Sequence, residues 1–215
     1  MDITLYLLQW AALAGIFFLA LMSPGPDFVV AVRNSLVHSR RIGIFTALGF
    51  ALGVLVHIAY AVIGIAAIIS QSILLFNIIK YAGAAYLIYL GFQALRSKGM
   101  GKKAVDNALS HKAKRKMTDL KALRSGFITN VLNPKASLFF LAIFTQVVEP
   151  TTPLLWQIAY GVSFAVMTFF WFALVATVLT QGPVRNLFLK ATKWIDRVCG
   201  SVLIGLGIKV ATATN

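Results

Sequence analysis

Ser23-Pro24-Gly25-Pro26-Asp27 interrupts the first long apolar stretch of the chain, and Asn133-Pro134-Lys135 repeats the interruption 110 positions later. Proline removes a backbone donor and clashes with the preceding turn, and glycine costs backbone entropy. No helix passes through Ser23–Asp27 unbroken. In water this would be an ordinary turn. In a bilayer, freed backbone groups are tolerated only where protein or a water-filled cavity covers them. The fold therefore turns on whether the flanking segments lie in lipid.

Composition answers that question. The 215 residues are 59% hydrophobic and 12% charged, with a mean hydropathy of +0.83. Soluble domains carry about 25% charged residues. Several stretches lack any charge over the ~20 residues that span a bilayer. The chain reads as one polytopic helical bundle with no separate soluble domain. The N-terminus carries Asp2 and no basic leader, so it reads as the first membrane helix itself.

Six helices are expected, over about 3–22, 43–69, 73–95, 126–148, 154–180 and 194–211. Two readings hold for the start. Either 3–22 spans and 28–37 lies at the interface, or one broken helix crosses from about 12 to 37. The sixth helix is short, because only 11 uncharged residues separate Arg197 from Lys209. Gly49 and Gly53 have the GxxxG spacing that lets two helices approach closely.

The net charge of +14 does not indicate nucleic acid, because seventeen of the twenty basic residues fall in three loops. Basic loops mark the cytoplasmic side and attract anionic lipid headgroups. That places both termini outside. The 96–124 segment alone holds ten basic residues and reads as a cytoplasmic loop without a site.

The halves also match each other. Ser23-Pro24 aligns with Asn133-Pro134, Gly49–His57 with Ser163–Trp171, and Leu90-Gly91 with Leu206-Gly207. Residues 1–95 and 125–215 thus read as two three-helix repeats. Three is odd, so the second copy enters the membrane from the opposite side. Inverted repeats with breaks in corresponding positions place a transport site at mid-membrane.

Asp27 and Lys135 each directly follow a break. A carboxylate and an ammonium there would hold the two ends of a zwitterion, or neutralise each other. Freed amides and carbonyls of the breaks, with Ser23, Pro24, Gly25, Pro26, Asn130, Asn133 and Pro134, complete the candidate site, and Ser137 is an accessory hydroxyl. Asp27, Asp196 and His57 are the proton-coupling candidates. Lys80 and Asp196 otherwise read as interfacial charges near opposite faces. The single cysteine, Cys199, excludes an intrachain dithiol mechanism. No HExxH occurs, and the three histidines are scattered, so an intramembrane enzyme has no motif behind it. No cofactor is called for. A passive channel or a non-transporting scaffold is the alternative to a transporter.

Three motifs, in order, carry a resemblance: Ala20-Leu21-Met22-Ser23-Pro24-Gly25-Pro26-Asp27, Tyr86-Leu87-Ile88-Tyr89-Leu90-Gly91, and Asn130-Val131-Leu132-Asn133-Pro134-Lys135-Ala136, with Lys193-Trp194-Ile195-Asp196 near the last helix. The chain resembles the LysE/RhtB family of amino-acid exporters over essentially its whole length. The resemblance implies a small bacterial inner-membrane carrier driven by the proton gradient. The motifs look most like those of the threonine and homoserine exporters, which implies a small neutral amino acid. A homodimer is kept open.

Overall fold

The structure is a computed structural model, which describes residues 3–98, 116–147, 152–178 and 181–212. The described residues form helices and short connections. In chain order the helices are α1 (Ile3–Met22), α2 (Pro26–Val37), α3 (Arg40–Gln71), α4 (Ile73–Arg96), α5 (Asp119–Val131), α6 (Pro134–Val147), α7 (Leu154–Val178) and α8 (Gly182–Thr212).

Both breaks fall where the prolines put them. α1 stops at Met22, and α2 starts with Pro26 in its first turn, where the missing N–H is no loss. α5 ends at Val131, and α6 starts with Pro134. The axes of Asp119–Val131 and Pro134–Ile143 differ by 57°. Helix 1 is therefore a complete 20-residue helix ending at Met22. The following segment is packed into the bundle. α2 buries Asp27, Phe28, Ala31, Val32, Asn34 and Ser35, and packs against α3, α5 and α7.

Several boundaries move outward from those expected. α3 begins at Arg40 and α5 at Asp119, so the end of the expected 96–124 loop is helical. Thr118 caps α5 by accepting from the Lys121 amide, and Asp119 in the first turn complements the helix dipole. Residues 99–115 of that loop, and 148–151 at the end of the expected fourth helix and after it, lie outside the described residues. The sixth helix, expected over 194–211, starts earlier, since α8 runs 31 residues from Gly182.

Glycines set the closest helix contacts. A Cβ on Gly49 would lie 2.1 Å from the Leu123 carbonyl oxygen, and one on Gly126 would lie 2.1 Å from that of Thr46, so α3 and α5 touch backbone to backbone. α4 and α8 meet the same way at Gly91 and Gly200. In lipid, this close packing rather than exclusion of water holds helices together. A cluster of phenylalanines lies within a largely aliphatic core. Phe17 of α1 lies 4.8 Å from Phe164 of α7 and 5.4 Å from Phe140 of α6, between ring centroids.

By length and composition, α1, most of α3, most of α4 and α7 can each cross a membrane, and α5 with α6 makes a fifth span if the bent pair is counted as one. The chain is thus a multi-pass membrane protein, all-helical among its described residues. α8 falls outside that set because its first half carries Arg185, Lys190, Lys193, Asp196 and Arg197.

Candidate functional site

The two breaks meet. Lys135, second residue of α6, donates from Nζ to the Ser23 carbonyl oxygen at 3.0 Å. That carbonyl lies in the break between Met22, where α1 ends, and Pro26, where α2 starts, so it belongs to neither helix. Asn133 stands ahead of α6 and takes the Lys135 amide on its side-chain oxygen at 3.0 Å, as an N-cap does. Its own carbonyl accepts from the Ser137 hydroxyl at 3.1 Å. Tyr86 of α4 donates to the Pro134 carbonyl at 3.3 Å, fixing the same turn from the other side.

Asp27 faces α5. Its Oδ2 accepts from Asn130 Nδ2 at 2.7 Å. Asp27 is 8% exposed and Asn130 2%. Asp27 Oδ1 and Asn130 Oδ1 are both buried without a hydrogen-bond partner. Asn130 fits because Gly53 has no side chain: a Cβ there would lie 2.5 Å from Asn130 Oδ1. The glycine expected to serve packing also makes room for the polar residue that meets Asp27.

Asp27 and Lys135 do not form an ion pair. Among the described residues the ion pair within 4.0 Å is the exposed Arg41–Asp119 contact, 2.7 Å apart. Each central charge instead rests on a neutral group, Asp27 on Asn130 and Lys135 on Ser23.

The interfacial reading of Asp196 is corrected. Asp196 is 3% exposed and accepts from Ser23 Oγ at 3.0 Å and Ser97 Oγ at 2.6 Å. The continuous α8 turns it inward, while Arg197 stacks outward over Trp194. Lys80 is likewise buried, at 4% exposure, rather than extended to an interface. Cys199 is buried, as a small core residue would be. His57 is fully buried and hydrogen-bonded to Tyr60 and to the Asn130 carbonyl.

Two cavities flank Lys135. The narrow one, about 60 Å³, is lined by Phe17, Asp27, Asn130, Lys135 and Phe140 among others. The wide one, about 640 Å³, is lined by Ser23, Tyr86, Gln93, Ser97, Lys135 and Asp196 among others. Pro24 and Pro26 line the wide cavity, and Gly25, Asn133 and Lys135 line both. The narrow cavity has room for a few waters, whereas the wide one lies in the usual size range of small-molecule sites. Among the described residues no cluster of His, Cys, Asp or Glu could hold a metal ion.

Ser97, Gln93 and Tyr60 were not singled out from the sequence. Ser97 reads as an ordinary residue closing a helix before a basic loop. Its bond to Asp196 links positions 99 apart.

A model of the LysE type translocators matches residues 18–214. The chain belongs to that family. LysE type translocators are transporters, not enzymes, and the match spans both breaks and every polar residue of the site. Among curated relatives, the chain is 30% identical to a threonine efflux protein of Escherichia coli K12, over 94% of this chain and 97% of that protein. It is 30% identical, over the same shares, to a threonine efflux protein of Salmonella typhi. An uncharacterised membrane protein of Vibrio cholerae is 31% identical over 99% of both chains. No solved structure matches the fold.

Proposed function

We propose that this LysE type translocator exports a small neutral amino acid, of the threonine and homoserine class, across the bacterial inner membrane. The observation that carries the reading is the unequal partnering of the central charges. Asp27 Oδ1 and Asn130 Oδ1 are acceptors buried without a donor. Lys135 Nζ rests on one neutral carbonyl. A zwitterion supplies what both lack, an ammonium for the acceptors and a carboxylate for Lys135. Buried polar groups without partners cost roughly 1–3 kcal/mol each, so a ligand that satisfies them is favoured.

Substrate enters the wide cavity, which is large enough for an amino acid, and passes Lys135 toward Asp27. The six-span arrangement, as two inverted repeats over 1–95 and 125–215 with the basic 96–124 loop in the cytoplasm and both termini outside, supplies the rocking motion of alternating access. For this, α8 counts as the sixth span. Its buried Asp196 and the close α4–α8 contact at Gly91 and Gly200 favour that count. Protonation of Asp27 or Asp196 couples the cycle to the proton gradient. The basic loop rests on anionic headgroups, and a homodimer is compatible with this arrangement.

Everted vesicles carrying the protein test the reading. Labelled threonine and homoserine are expected to accumulate under an imposed proton gradient, cysteine and lysine less, and an uncoupler should abolish accumulation. If no labelled amino acid accumulates while a known exporter works in the same vesicles, the proposal fails. Uncoupler-insensitive equilibration would indicate a passive channel instead.

A further inference from the structure

Both ring nitrogens of His57 face an oxygen. Its Nε2 lies 2.9 Å from the Asn130 carbonyl oxygen, and its Nδ1 lies 2.9 Å from the Tyr60 hydroxyl. That hydroxyl lies 2.9 Å from the Ser137 carbonyl oxygen. Asn130 is in the last turn of α5 and Ser137 in the first turn of α6. One histidine–tyrosine pair on α3 thus grips both sides of the second break.

Counting protons makes the arrangement more specific. A carbonyl oxygen only accepts, so Nε2 carries a hydrogen. Tyr60 has one hydroxyl proton. If it is donated to Ser137, Nδ1 must also carry a hydrogen, and the ring is an imidazolium. If the ring is neutral, the Tyr60 proton turns to Nδ1, and the Ser137 carbonyl loses the Tyr60 hydroxyl, its tie to α3. The grip on α6 therefore depends on one proton, whereas the grip on α5 does not.

We propose that Tyr60 and His57 are positioning residues for transport: protonated His57 holds α6 against α3 through Tyr60, and loss of the proton frees α6 to turn at the second break. Asn130, the hydrogen-bond partner of Asp27, stays fixed to α3 in both states. Lys135, two residues before Ser137, moves with α6. Release of the proton thus separates the two ends of the zwitterion site.

The other titratable groups nearby are accounted for. Asp27 of α2 reaches this level only through the Asn130 side chain. Lys135 of α6 is committed to Ser23. Tyr86 of α4 bonds the Pro134 carbonyl, and Tyr160 of α7 bonds the Tyr6 carbonyl. Phe140 stacks on the imidazole with centroids 5.7 Å apart, covering one face with an apolar ring.

The test has two arms. The first does not depend on the export reading. The chain has three histidines, so replacing His38 and His111 with Gln leaves His57 alone. Nitrogen-15 histidine NMR of that protein in lipid nanodiscs should show both ring nitrogens protonated at the acid end of about pH 5 to 8, the range in which histidine titrates, with a single neutral tautomer at the alkaline end. Tyr60→Phe should displace the midpoint. A ring that stays neutral throughout, or a midpoint indifferent to Tyr60→Phe, overturns the proposal.

The second arm rests on the export reading and uses threonine exchange in proteoliposomes, with wild-type transport as the control for that reading. Wild type should show a step in exchange rate over the same pH range. His57→Gln keeps a donor for Asn130 but has no titratable proton, and Tyr60→Phe keeps the ring but loses the hydroxyl. Both should lose the step and exchange roughly five- to tenfold more slowly at the optimum. A uniform slowing that preserves the step would reduce the pair to a structural role and overturn the proposal.

Discussion

Lys135 Nζ donates to the Ser23 carbonyl oxygen across 3.0 Å, so a side chain from the second proline break closes on the backbone of the first. Ser23 then uses its hydroxyl to reach Asp196 Oδ1, also at 3.0 Å. One small residue joins three parts of the chain that lie more than 60 positions apart.

The two ends of the substrate should be separable by mutation. Asp27→Asn removes the negative charge without removing bulk, and Lys135→Met does the same for the positive charge. Each is expected to lower threonine uptake roughly 10- to 100-fold, the range for a lost hydrogen bond to a charged group. In binding competition, Asp27→Asn should stop distinguishing threonine from its deaminated hydroxy acid, and Lys135→Met should stop distinguishing it from its decarboxylated amine. Crossed or equal effects would contradict the assignment.

Helix contact at Gly126 should be strict. A Cβ there meets the Thr46 carbonyl oxygen at 2.1 Å, and a backbone atom cannot step aside as a flexible side chain can. Gly126→Val is expected to cost about 1–3 kcal/mol, read as a lowered melting temperature in detergent. Gly205 has open space around its Cβ position, so Gly205→Ala should be neutral or mildly stabilising.

Ser97 should matter to transport although it lies at a helix end. Ser97→Ala removes the 2.6 Å donor from a buried carboxylate. The expected result is slower export with little change in the amount of folded protein, because Ser23 still donates to Asp196. Initial rates and fluorescence size-exclusion profiles would check both halves of that statement.

Cys199 offers a built-in probe. It is fully buried and the only cysteine in the chain. A membrane-permeant maleimide should leave it unmodified in the resting protein and modify it completely after denaturation. If α8 moves during the cycle, labelling should accelerate when substrate and a proton gradient are both present.

Much of this architecture was legible because its signals are backbone signals. Proline and glycine in Ser23–Asp27 and proline in Asn133–Lys135 break or kink a helix, and both breaks fall at those positions. Gly49 and Gly53 announced a close helix contact in the same way. The partner of Gly53 did not show, because Asn130 reaches it across 77 positions of chain. Asp196 was misread for a physical reason. Arg185, Lys190, Lys193 and Arg197 around it suggest a connector at the membrane surface, yet one face of a long helix can be basic while another is buried. The 119–124 turn was hidden by the basic segment before it, although Thr118-Asp119 is a normal helix start. Tyr60 stands three residues from His57, on the same helix face, but the carbonyls they grip carry no sequence signature.

The separation of the central charges has a consequence for speed. Asp27 leans on an amide and Lys135 on a carbonyl, neither on the other. A protein that kept these two as an internal ion pair would have to break it each time cargo arrived, and re-form it each time cargo left. Here no direct contact between the two charges has to be broken. A zwitterion at the proposed site would displace weak neutral contacts, and on leaving it would not compete with a preformed pair ready to exclude the next one. Such a site favours rapid turnover over tight retention, which suits a device that clears a surplus rather than one that scavenges traces.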